Sequence, residues 1–130
     1  MNRMRQSDLE EVEATVEHRR REDAAPRLRD QVKGLESLRL RFDDVRAEGK
    51  MLATAYTKPI AVAIAPACFD IRCMEARCNG RHDLTSPVLR ALREAKTSFE
   101  GRSRCNGMIG DVPCDHTLAY TCEAQYAPQA

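Results

Sequence analysis

The chain has 130 residues, with 21 Lys and Arg against 20 Asp and Glu, and only 5% aromatic residues, none of them Trp. That balance gives no case for a general attraction to polyanions, and the scarcity of large apolar side chains argues against one deep core running through the whole length. Residues 1–50 hold twelve basic and twelve acidic side chains, so the two parts of the chain are alike in being nearly neutral.

The first thirty residues are dense in Glu and Arg and lack the apolar run of a secretory leader or a membrane span. A soluble, cytoplasmic protein without a membrane partner is therefore expected. In a reducing cytosol, metal ligation is the commoner reason to cluster six cysteines, with a disulfide framework as the rival in an oxidising compartment.

In chain order, Ser7 and Glu10 match a capping box, and Asp8, Glu10 and Glu11 suit the positive end of a helix starting near Ser7. Leu9, Val12 and Val16 give that helix a thin apolar stripe, interrupted by His18-Arg19-Arg20-Arg21. Pro26 marks a kink and the first turn of a second helix, which Gly49 would end. Within it Leu28, Leu35 and Phe42 recur every seven residues, and Leu38 and Val45 lie three beyond the latter two. This is the a/d spacing of a short coiled coil, spoiled by Gln31 and Gly34. The stripe suits self-association, docking to a protein partner, or packing on the rest of the chain.

Beyond Gly49 the apolar period shortens to two. Ile60, Val62 and Ile64 alternate with Ala61, Ala63 and Ala65 between two prolines, which predicts a strand. Thr85 or Ser86 before Pro87 predicts a helix start, with Val88, Ala91, Leu92, Ala95 and Phe99 on one face before Gly101. Leu118, Tyr120, Cys122, Ala124 and Tyr126 alternate with polar neighbours as a half-buried strand. The expected fold class is thus α+β. A charged helical segment over 1–50, kinked near Pro26, precedes a small cysteine-rich β-α-β domain over 51–130.

The chemistry sits in that second segment. Cys68, Cys73 and Cys78 follow the first strand and lead to His82, while Cys105, Cys114 and His116 lie between the helix and the last strand. Zn2+ takes four thiolate or imidazole ligands in a tetrahedron, and small domains commonly supply two from each of two loops. The ligand set expected here is Cys73, Cys78, Cys105 and Cys114, with His82 as the substitute. Asn79-Gly80 and the glycines of the Cys105–Cys114 segment allow the tight turns this requires, and Pro113 stiffens the approach to Cys114. Cys122 belongs to the core as a small hydrophobe, and Cys68 has no clear role. In general form this region resembles zinc-ribbon and treble-clef modules, without a C-x2-C knuckle.

The pairs His82-Asp83 and Asp115-His116 invite a metal-phosphohydrolase reading, but neither an H-E-x-x-H motif nor the deaminase signature occurs. Asp83 and Thr85 are better placed to cap the helix that follows. Four closed ligands leave no open coordination position, so no enzymatic activity is expected. The function that fits is a non-enzymatic, zinc-stabilised interaction or regulatory module on a helical stalk. A nucleic-acid-binding regulator is an alternative, because residues 72–104 carry eight basic against four acidic side chains, although stacking aromatics are scarce. A thiol-based redox sensor is another, requiring accessible thiolates of low pKa.

Overall fold

In the computed structural model, residues 6–46, 56–75 and 77–128 are described, with their side chains except at positions 6–11, 14 and 46. Where heptad spacing predicted a helix, Leu38-Arg39-Leu40-Arg41-Phe42 forms a strand. In chain order the elements are α1 (Gln6–Ala24), α2 (Leu28–Gln31), β1 (Leu35–Arg46), β2 (Tyr56–Ile60), β3 (Asp70–Arg72) and β4 (Arg81–Asp83). There follow α3 (Thr85–Arg93), β5 (Ser98–Arg104), β6 (Met108–Ile109), β7 (Val112–Pro113) and β8 (His116–Tyr126).

The organising element is an antiparallel sheet in the order β2-β1-β8-β5. Its register places Leu38 opposite Ala124, Leu40 opposite Cys122 and Phe42 opposite Tyr120, so the apolar positions of β1 and β8 share one face. The other face is polar, with Arg39 bonded to Glu123 across the β1–β8 pair. An antiparallel sheet with one solvated face reads as this kind of strict alternation. Leu28, Val32, Phe69, Leu84, Val88 and Leu92 cover the apolar face and complete the core. Arg93 of α3 donates to the Gln31 side chain (2.8 Å), holding α3 beside α2.

The helical stalk and its coiled coil are therefore corrected. Leu28, Leu35, Leu38, Phe42 and Val45 are all buried inside the fold, and none is free to line an interhelical seam. Leu40 decides the contest. It lies outside the heptad seam, yet in a strand it joins Leu38 and Phe42 on the core face and is 1% exposed. Gly34, at φ +81, turns the chain out of α2 and into β1, a conformation glycine adopts without steric cost. Gly49, expected to end the second helix, lies outside the described residues. A boundary at residue 50 would separate β1 from β2 within one sheet.

Helix α1 is docked by polar contacts. Val12 and Val16 remain exposed, while His18 bonds Glu22 and lies 3.2 Å from the buried Asp70 carboxylate. The Ser7–Glu10 capping box falls among side chains outside those described. The strand expected over 60–65 is also corrected. Beyond Ile60 the chain turns, with the Ala65 N–H donating to the Ala61 carbonyl, and Ile64 is exposed. This turn is tied down by backbone bonds between Leu28 and Ala65 and between Ala67 and Pro26. Alternation without a partner strand left the segment free to bend. Among the described residues, no helix is long and apolar enough to cross a membrane.

Phe42 is fully buried and packs its ring 5.0 Å from that of Tyr56, joining β1 to β2. Phe42→Ala is expected to lower stability by about 3–5 kcal/mol, the usual cost of deleting a buried aromatic side chain. Urea unfolding followed by circular dichroism measures it, and a loss below about 1 kcal/mol would contradict this placement of the core.

Candidate metal centre

Two Cys-Asn-Gly triplets, at 78–80 and 105–107, build the centre. In each, the glycine N–H donates to the sulfur of the cysteine two residues earlier, at 3.3 Å for both Gly80 to Cys78 and Gly107 to Cys105. In each, the glycine carbonyl accepts the N–H of the second cysteine of its loop. Cys73 bonds Gly80 and Cys114 bonds Gly107, both at 3.0 Å. The two loops thus repeat one device in opposite chain order. The nearby backbones of Glu75 and His116 also favour the thiolates of Cys73 and Cys114, against the effect of burial.

Gly80 and Gly107 meet backbone to backbone. A Cβ on Gly80 would lie 2.5 Å from the Cys105 sulfur and 2.8 Å from the Gly107 nitrogen. A Cβ on Gly107 would lie 2.5 Å from the Gly80 nitrogen and 2.6 Å from the Cys78 sulfur. Glycine is required at both places by this approach. The Asn79 side chain adds a further tie by accepting the Met108 N–H (3.3 Å).

The result is a buried group of four sulfurs, from Cys73, Cys78, Cys105 and Cys114, all within 4.8 Å of one another. A tetrahedral ion with metal–sulfur bonds of about 2.3 Å holds its ligands about 3.8 Å apart. The Cys73–Cys114 separation is 3.8 Å and the Cys78–Cys105 separation 3.5 Å. These are free thiols rather than disulfides, and their spacing suits a metal ion. Burial pushes the Cys114 thiol up to about 11 and raises Cys73 as well. Burial also acts on Cys78, but there the Gly80 N–H and the neighbouring sulfurs outweigh it and hold the thiol below its ordinary value.

His82 takes another role. On β4, paired with Ile71, it is buried, and its Nδ1 lies 3.0 Å from the Ser103 hydroxyl, outside the four-sulfur group. Its desolvation favours the neutral ring. His116 is buried too, and donates from Nδ1 to the Asp44 carboxylate at 2.7 Å. That pair links β1 to the residue whose carbonyl accepts the Cys105 N–H (3.0 Å), a support that the sequence spacing of 44 and 116 concealed. With one histidine bonded to Ser103 and the other to Asp44, the two His-Asp dipeptides form no common site. Asp83 instead accepts the Thr85 N–H at the start of α3, while the Thr85 hydroxyl accepts the Phe69 N–H. Cys122 lies in the core, where burial pushes its thiol up to about 12, and Cys68 is half-buried apart from the cluster. Comparison with known protein families, with curated proteins and with solved structures found no match, so the chemistry of the four sulfurs carries the functional reading.

Proposed function

We propose that the protein is a non-catalytic, zinc-stabilised interaction module of a reducing compartment such as the cytoplasm. The observation that supports it is the buried four-cysteine group, two of whose sulfurs accept glycine N–H groups. Four thiolates satisfy zinc's preference for sulfur and its tetrahedral coordination, and they leave no position for water or substrate. Cys73, Cys78, Cys105 and Cys114 would hold the ion, which would supply structural cross-linking rather than Lewis-acid chemistry. Burial of all four sulfurs weighs against the thiol-sensor alternative, which needs accessible thiolates.

The test is elemental analysis of protein purified without added metal, paired with cobalt substitution. One zinc per chain and the visible absorption of tetrahedral cobalt thiolate are expected. A stoichiometric iron content would replace zinc in this reading, and four disulfide-bonded cysteines would refute it.

A further inference from the structure

Strand β5 is an edge of the sheet, and its hydrogen-bonding parity is readable. Ala124 donates to the Thr97 carbonyl at 2.9 Å and Cys105 donates to the His116 carbonyl at 3.0 Å, both across directly opposed residues. Residues 97, 99, 101, 103 and 105 therefore exchange bonds with β8. The N–H and C=O groups of Ser98, Glu100, Arg102 and Arg104 turn outward instead. Among the described residues no strand pairs with that side. All four residues are exposed, and Glu100, Arg102 and Arg104 are in no ion pair among the described residues. The opposite edge differs. β2 carries Pro59, which has no N–H to offer, beside Lys58, and both features discourage pairing.

We propose that two copies of this chain join through their β5 strands, antiparallel about a two-fold axis at Gly101, into one continuous sheet. Outward-turned groups must meet outward-turned groups, so even-numbered residues of one copy pair with even-numbered residues of the other. An axis at Gly101 sets Glu100 of each copy opposite Arg102 of the other, and Ser98 opposite Arg104. An axis at Glu100 would oppose the two Glu100, and one at Arg102 would pair Glu100 with Arg104 but oppose the two Arg102. The Gly101 axis pairs opposite charges with no like charges opposed. Charge thus selects both the occupant and the alignment. The proposal deepens the interaction role given above by naming the partner, and it depends on that reading for nothing else.

The experiment is sedimentation equilibrium on the full chain and three variants, with metal content read on the same samples. Wild type is expected at about twice the 14.7 kDa chain mass. Arg102→Glu and Glu100→Arg each place like charges opposite one another at both central pairs, and each is expected to halve the mass. The double exchange, Glu100→Arg with Arg102→Glu, is expected to restore the dimer. A monomeric wild type, dimers indifferent to both single reversals, or a double variant that stays monomeric overturns the proposal. Full metal in a monomeric wild type would reject the edge and keep the metal centre; a metal-free dimer showing the three variant responses would do the reverse. Uptake of an unrelated extended peptide along β5 by a monomer would also overturn it.

Discussion

Stripping the metal with a strong chelator, or combining Cys105→Ser with Cys114→Ser, is expected to unfold the sheet. Apart from the four cysteines, the buried cluster at this end has only the partly buried Ile109 packed against it, so little apolar contact holds the two loops together. A structural zinc site contributes on the order of 10 kcal/mol in small domains, comparable with the whole stability of an ordinary one. The Cys105–Cys114 loop also lies between β5 and β8, so releasing it frees the adjoining ends of that strand pair. Because burial holds the Cys114 and Cys73 thiols protonated, metal must displace protons, and its affinity rises with pH. Cys122→Ala should cost far less, roughly 1 kcal/mol, with metal content unchanged. Far-UV circular dichroism and urea midpoints, with and without chelator, decide the matter. An unchanged midpoint in the chelated protein would reject a structural metal.

Alanine at Gly80 or at Gly107 is expected to abolish metal retention while leaving all four ligands in the sequence. Each added methyl would press on backbone and on a ligand sulfur at distances that real Cβ atoms do not adopt. Neither glycine can shift aside within its own loop without breaking the bond from Cys73 to Gly80 or from Cys114 to Gly107. Gly110→Ala serves as the control. That position has φ +60 but open space around it, so its substitution strains a hairpin turn without touching sulfur. Metal-to-protein ratios after purification should fall to near zero for the first two variants and stay near one for the third. Full metal in both Gly80→Ala and Gly107→Ala would mean that the loops do not meet as described.

The cysteine cluster was legible because its signals are local. Asn-Gly after Cys78 and glycine after Cys105 announce tight turns, and turns beside cysteines announce ligands. What spacing could not reveal is that the two triplets face each other, since that needs the β3–β4 hairpin to pack against β5, as it does through the His82–Ser103 contact. Strand β8 was equally plain, because nearly every second residue from Leu118 to Ala124 is apolar. β1 misled because Leu35, Leu38, Phe42 and Val45 satisfy a heptad, while Leu38, Leu40 and Phe42 satisfy a strand. Long-range pairing with β8 overrode helical propensity there. The Ile60–Ala65 alternation misled in the opposite way. A period of two describes side chains, but a strand also needs a neighbour for its backbone, and among the described residues no strand pairs with positions 61–65.

The central position of β1 bears on the order in which the protein can assemble. One of its two neighbours, β8, follows every other described element, so during synthesis β1 must wait with one edge bare until β8 emerges. Such distant pairing is intrinsically slow to form. Cys114, however, is made before β8, and by then all four sulfurs are in the nascent chain. A metal held by them would clamp the loop from which β8 grows and aim that strand between β1 and β5. An ion there would thus favour seating β8 before the bare edge of β1 can find a neighbouring chain.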